Sequence, residues 1–352
     1  MKKRVTSYDV AKRAGVSQAT VSYVLNGNSR QSISKDTRER VVSAAKELNY
    51  FPNSAAQMLR QENTGYICVV TNKILGHPRY AETVQALRSQ LETDGFSILL
   101  SNEREEPGEI YPSYLRDYFS HKVDGIVYIG ADGKPVPQEV LEAVRGNNIP
   151  FLAFDCQLDE KDISSVDIDY TAGLKSAAEK LVEAGCKKLL YLCPERNTPQ
   201  ERTRKKAFRE FCDENSIPHD LFPVNMRLIT AREYGAGYGS WLPSLGKGEK
   251  PQWYSDLKRQ LMALSPDTGI ICAWRAMLDF AVEVYTSASM ARPLAVLTDE
   301  RIWYPYGAPI YVSALPNRQA GELCAKGIIE IIHDPKKVFK RSAATLDAGL
   351  IW

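Results

Sequence analysis

Chemistry needs the right groups within reach of one another, and this chain of 352 residues offers few sets that qualify. Its four histidines, His77, His121, His219 and His333, lie far apart and carry no supporting Ser/Asp or Cys motif, so they read as surface or core residues rather than catalysts. The pair Asp167 and Asp169 reads as part of a strand-to-helix loop. Seven cysteines are scattered, mostly in apolar runs such as Ile67-Cys68-Val69, with no Cys-x-x-Cys spacing for zinc or redox work. They fit reduced core thiols of a cytoplasmic protein. Neither Gly-x-Gly-x-x-Gly nor Gly-x-x-x-x-Gly-Lys-Ser/Thr occurs, so no nucleotide or other cofactor is implied. What does line up is a recognition surface: Ser17, Gln18, Ala19, Ser22 and Tyr23 share one face of a short segment. Small, uncharged, hydrogen-bonding groups of this kind suit a helix in a DNA major groove, where they reach base edges and phosphates.

That face must be held by the segment Ala11–Gly27, a helix, a glycine turn and a second helix. Gly15 supplies the turn, Ser17 caps the second helix, and Asn26-Gly27 ends it. Val21, Val24 and Leu25 fall at i, i+3 and i+4 and turn inward. A first helix, Tyr8–Arg13, is capped by Thr6 or Ser7. A third follows Ser34, with Val41, Ala44, Ala45 and Leu48 on one side. Residues 1–60 carry a formal charge of +7, which leaves −5 on the rest of a chain whose net charge is +2. A basic head on an acidic body points to a polyanionic partner at one end. Phe51-Pro52 ends the third helix, and the short segment SAAQMLR after it has two readings. It is either an ordinary linker or a helix formed only against a partner, inserting Leu59 into a minor groove.

From Thr64 the pattern alternates between strands and helices. One series runs from the strand at Ile67–Val70 to that at Pro150–Phe154, and a second from the helix at Tyr170–Ala184 to the strand at Leu294–Leu297. A helix at Arg318–Ile332 and terminal strands within Phe339–Trp352 complete the chain. Two such series predict two doubly wound lobes of parallel strands, with a ligand at the carboxyl ends of the strands between them. The glycine- and proline-rich stretch Tyr234–Pro266 reads as a long loop. Its aromatics Trp241, Trp253 and Tyr254 serve as a lid or contact surface, or pack on their own lobe. Trp303, Tyr304 and Tyr306 line either the cleft or a dimer face. No apolar run is long enough to cross a membrane, and no signal-peptide pattern opens the chain.

The segments VTSYDVAKRAGVSQATVSYVLNG and SKDTRERVVSAAKELNYFPNSAAQMLR closely resemble the head and hinge of the LacI family of bacterial transcription regulators. HPRYAE, DGIVYIG, IPFLAFD, SVDIDYTAG and RTRKKAF more loosely resemble its periplasmic-binding-protein-like effector domain. The resemblance implies an all-α helix-turn-helix head (1–52), a hinge helix and linker (53–63) and an α/β effector domain of two doubly wound lobes (64–352). It implies a non-enzymatic regulator, most often a repressor, that binds a pseudo-palindromic DNA operator as a homodimer and answers to a small-molecule effector. A protein partner is the alternative signal, and a solute-binding protein the alternative class, which the basic head and missing signal peptide oppose.

By the same resemblance Gln18, Ala19 and Tyr23 read bases; Ser17, Thr20, Ser22 and Asn26 position the backbone; and Leu59 is the hinge wedge. Ala19 departs from the family's polar readers and offers only a methyl contact, and for Tyr23 the competing place is the head's own surface. In the effector domain Tyr80 takes an aromatic stacking position, Arg79 stands where a second aromatic is common, Asp155 ends its strand at the cleft mouth, and Arg204 takes the effector-binding arginine. Trp274-Arg275 replaces an Asn-Asp pair, reversing the local charge. Arg79, Arg204 and Arg275 together offer three guanidinium forks for an anionic effector, with Trp274 as a stacking wall. The competing arrangements pair Arg275 with Asp155 or Asp299, or point it into solvent.

Overall fold

The computed structural model describes residues 5–25, 33–51, 63–71, 78–102, 111–130, 135–195, 197–224, 252–298, 307–345 and 348–351. The chain divides into two compact units, Met1–Thr64 and Gly65–Trp352. In the first, Thr6 and Asp9 form a reciprocal cap that starts α1 (Ser7–Ala14), and Gly15 ends it in the left-handed region at φ 65°. The Ser17 hydroxyl then accepts from the Thr20 amide at 3.1 Å and opens α2 (Gln18–Leu25). Ser34 does the same for α3 (Lys35–Glu47). Val10, Ala14, Val21, Val24, Val41, Ala44 and Ala45 are buried together as the core. Asn26 and Leu59, and with Leu59 the whole expected hinge helix, lie outside the described residues.

The second unit holds two six-stranded sheets. In chain order its elements are β1 (Tyr66–Thr71), α4 (Pro78–Thr93), β2 (Ser97–Ser101), α5 (Ser113–Phe119), β3 (Gly125–Ile129), α6 (Gln138–Asn147), β4 (Phe151–Phe154) and β5 (Ser164–Asp169). They continue with α7 (Tyr170–Glu183), β6 (Lys188–Pro194), α8 (Pro199–Glu214), β7 (His219–Val224), α9 (Gln252–Ala263), β8 (Thr268–Cys272), α10 (Arg275–Ser287), β9 (Leu294–Thr298) and β10 (Ile310–Ala314). The last are α11 (Asn317–His333), β11 (Lys340–Ala344) and β12 (Gly349–Ile351). The first lobe has the order β11-β5-β4-β3-β1-β2 and the second β12-β10-β9-β8-β6-β7. The strand β1 shows why both faces of a sheet must be covered. Ile67 and Val69 enter one apolar core, Cys68 and Val70 another, and all four are fully buried.

Each series keeps to its own sheet, and it is the elements after them that cross between lobes. The helix α11 returns to the first lobe and packs on α4, where Gly321 lies so close that a Cβ would stand 2.3 Å from the Thr83 carbonyl. The strand β11 pairs with β5, and β12 goes back to the second lobe. Because no crossover helix separates β11 from β12, β12 runs antiparallel to β10, so the second sheet is parallel-rich rather than wholly parallel. The three passages between lobes meet at α7. There Gly173 has Ser313 Oγ 2.3 Å and Thr345 Oγ1 2.4 Å from where a Cβ would be, and Thr345 Oγ1 donates to the Asp169 carbonyl at 2.9 Å.

The expected long loop at Tyr234–Pro266 is corrected in its second half. Gln252–Ala263 is helix α9, and Tyr254 on it is buried, donating to Glu283 at 2.8 Å with its ring edge-on to Phe280. Tyr254 is therefore a core residue and not part of a lid. Trp241, Trp303, Tyr304 and Tyr306 lie outside the described residues. Six of the seven cysteines are buried, and burial pushes the thiols of Cys186 and Cys193 up to about 11 and that of Cys212 up to about 12.

Candidate functional site

Two sets of functional residues were expected, and each falls on its own unit. On the head, burial of Val21 and Val24 turns the opposite face of α2 outward. Ser17, Gln18 and Ala19 are exposed, while Thr20, Ser22 and Tyr23 are half-buried. Ser17 Oγ and Thr20 Oγ1 are 2.9 Å apart, so these two hydroxyls are joined in the helix cap. The frame behind this face is tied by polar links between helices. Arg13 meets Glu47 at 2.8 Å, and Arg40 donates to the Ala14 carbonyl at 3.2 Å, satisfying an acceptor at the end of α1.

On the body, Arg79, Tyr80, Asp155 and Arg204 all stand at carboxyl ends of strands. Arg79 and Tyr80 lie in the first turn of α4 after β1, Asp155 directly follows β4, and Arg204 is in the second turn of α8 after β6. They converge on Tyr170, the first residue of α7, which sequence reasoning did not single out. Arg79 Nη2 lies 2.5 Å from Asp155 Oδ2 and 2.6 Å from Tyr170 Oη. The Tyr170 hydroxyl in turn donates to the Asp155 carboxylate at 3.1 Å. The Arg204 guanidinium lies over the Tyr170 ring, 4.1 Å from its centroid, and its Nη1 meets Glu201 Oε2 at 3.2 Å. Side-chain exposures are 13% for Arg79, 10% for Asp155, 7% for Arg204 and 1% for Glu201. Burial pushes the Tyr170 phenol up from its ordinary value, which keeps its proton available for donation.

The lobes are bridged here by the chain's own groups. Gln200, from the first turn of α8, donates through Nε2 to the Asp155 main-chain carbonyl at 2.7 Å. The Asp155 amide donates to Val166 at 2.9 Å, and its backbone sits in the left-handed region at φ 53°. Such a backbone on a non-glycine residue is held by its surroundings. Gln200, Glu201 and Tyr170 were missed although the expected Arg204 lies one helical turn from the first two. The signal in the sequence is the i−4 and i−3 spacing in PQERTR.

The expectation of three converging guanidinium forks is corrected. Arg79 and Arg204 share the Tyr170 ring, but each holds a carboxylate of this chain. Arg275 heads α10 with 43% of its side chain exposed and its Nε 3.8 Å from Asp279 on the same helix. Asp155 is held by Arg79 and not by Arg275, and Asp299 lies outside the described residues. Trp274, at the N-cap of α10, is half-buried against the larger apolar core. Two cations and two carboxylates thus balance around Tyr170, because two acidic side chains stand where an anionic ligand was expected.

A helix-turn-helix unit followed by two open, parallel-rich lobes with charged residues gathered at their strand ends defines a two-part regulator. Residues 6–53 match the family model described as bacterial regulatory proteins, lacI family, and residues 64–219 match that of the periplasmic binding proteins and sugar binding domain of the LacI family. The chain belongs to the LacI family of bacterial regulatory proteins. Catabolite control protein A of Staphylococcus xylosus is 31% identical over 191 residues, which span 53% of this chain and 55% of that protein. The HTH-type transcriptional repressor PurR of Haemophilus influenzae is 29% identical over 245 residues, 65% of this chain and 70% of that one. A crystal structure of the Lac repressor dimer bound to operator and the anti-inducer ONPF aligns with a TM-score of 0.72 over 99% of this chain and 98% of that one, at 22% identity. A complex of the regulator CelR with cellobiose aligns at 0.60 over 99% of both chains, at 20% identity. At these identities the likeness to solved structures is one of fold. Among the described residues no helix is long and apolar enough to cross a membrane.

Proposed function

We propose that this protein is a sequence-specific DNA-binding transcriptional repressor, acting as a homodimer on a pseudo-palindromic operator, with operator affinity set by a small effector between the lobes of its body. The observation that carries the reading is the exposed polar face of α2, raised on a capped three-helix frame. In this reading Gln18, Ala19 and Tyr23 contact bases; Ser17, Thr20, Ser22 and Asn26 set the helix against the phosphates; and Leu59 of the hinge enters the minor groove. One head buries too little surface for a specific site, which is why two copies and an inverted repeat belong together. The names of PurR as a repressor and of the Lac repressor complex as operator-bound support the same class.

Arg79, Tyr80, Asp155, Arg204, Trp274 and Arg275, with Tyr170, Gln200 and Glu201, form the effector site in this reading. The balance of two carboxylates against Arg79 and Arg204 favours an uncharged polar effector. Ligand contacts that strengthen or break the bridge from Gln200 to Asp155 change the spacing of the lobes, and through it the hinge. Selection of duplexes from a random pool by the full chain, with and without a metabolite extract, tests the whole reading. An enriched inverted repeat whose recovery changes with the extract is the expected result. Enrichment of no sequence overturns DNA reading, and a repeat indifferent to the extract but sensitive to a protein fraction moves control to a protein partner.

A further inference from the structure

We propose that Asp155 is a built-in counter-ion that decides the charge of the ligand the body accepts, by occupying the Arg79 guanidinium that would otherwise capture an anion. The inference rests on the reading of this site as the effector site. Asp155 Oδ2 takes one nitrogen of the Arg79 guanidinium, Nη2, at 2.5 Å and neutralises its charge, with Tyr170 Oη reaching the same carboxylate at 3.1 Å. The acid is not a loose side chain that a solute anion can push aside. Its amide is bound by Val166, its carbonyl by Gln200 from the other lobe, and its carboxylate by two donors. Two of these restraints, from β5 and α8, fix its main chain, and two, from α4 and α7, fix its carboxylate. Glu201 restrains the second cation in the same way, at 3.2 Å from Arg204 with 1% of its side chain exposed.

The side-chain hydrogen bonds of Arg79 all run through Nη2, and its Nε is buried without a hydrogen-bond partner. Arg204 Nε, Gln200 Oε1 and Glu201 Oε1 share that condition. A set of two donors and two acceptors within a neutral charge balance suits hydroxyl and carbonyl groups of an uncharged ligand. Neutralising Asp155 changes the class of ligand, because removing one partner of a buried pair leaves the other charge uncompensated and in need of an anion.

The substitution Asp155→Asn suits the test because asparagine tolerates the left-handed backbone that this position holds at φ 53°. Full-length protein is titrated with citrate and with inorganic phosphate by calorimetry. The D155N protein is expected to bind at least one of these anions about tenfold more tightly than the parent, and the double variant D155N/R79Q to lose that gain. An unchanged affinity in folded D155N overturns the proposal, and so does a gain that survives R79Q. D155S serves as a second, smaller replacement. Should neither fold, the parent protein decides: a rise in its melting temperature with citrate or phosphate beyond that with chloride at equal ionic strength overturns the counter-ion role. None of these arms uses DNA. A gain of anion binding in D155N that leaves operator affinity untouched upholds the counter-ion and refutes control through this site.

Discussion

The exposed polar face of α2 and the charged site around Tyr170 are both made of polar residues at helix starts, yet they treat those residues in opposite ways. On the head, Gln18 and its neighbours are exposed and the frame behind them carries the internal links, Arg13 to Glu47 and Arg40 to Ala14. In the body, Arg79, Asp155, Arg204 and Glu201 are themselves the internal links. A surface that meets a long polyanion can leave its groups in water until contact. A site enclosed between lobes cannot, because a charge taken out of water without a partner costs several kcal/mol, on the order of the whole stability of a domain.

The difference has a large expected consequence for stability. Arg79→Gln strands the Asp155 carboxylate and is expected to lower the stability of the body by about 3 kcal/mol, read from urea unfolding of the full chain. A loss within 0.5 kcal/mol, the range of ordinary surface changes, would mean that the pair is as loosely held as a surface ion pair, and the contrast between the two regions would fail. The complementary change on the head, Gln18→Ala, is expected to leave unfolding unchanged while weakening binding to the selected operator by about 2 kcal/mol and relaxing base preference at one position of each half-site. Equal loss on operator and on random duplex would place Gln18 among the phosphate contacts. Between these lies Tyr170→Phe, which removes one donor to Asp155 but keeps the ring under Arg204. A loss of about 1 kcal/mol is expected, and none at all would show that Arg79 alone holds the acid.

How far these regions were legible in the sequence follows from what each depends on. The head could be read almost to the residue because caps, turn glycine and apolar spacing are local: Thr6, Gly15, Ser17 and Ser34 act within three or four positions of themselves. Most strands and helices of the body were legible for the same reason. The strand β5, with its run Ser-Ser-Val-Asp-Ile-Asp, was passed over because it is polar in composition and its pairing partner β11 comes from the far end of the chain. The strand β7 carries Pro223, which edge strands tolerate and sequence patterns reject. In α9 the amphipathic run QWYSDLKRQLMA was hidden by the glycine and proline just before it. The electrostatic balance was the least legible feature. Arg79 and Asp155 are 76 positions apart and Gln200 and Asp155 are 45 apart, so the residue types were visible and their pairing was not.

Asp167 on β5 tests whether the body's economy of charge extends behind the site. Its carboxyl is held above the ordinary value of 3.8, first by burial and then by the nearby Asp155 charge, while the Gln157 amide at 2.9 Å, Ser165 and Lys340 pull the other way. A carboxyl whose folded value exceeds its unfolded one binds more protons in the folded state, so it costs stability as pH rises from 3.8 through the raised value, and the cost stays constant above that. Asp167→Asn keeps an acceptor for Gln157 and removes the charge. It should therefore match the parent in melting temperature below pH 3.8 and exceed it by a small, growing margin as the pH is raised towards neutrality. The reverse order at neutral pH would show that Lys340 and the Gln157 amide outweigh burial.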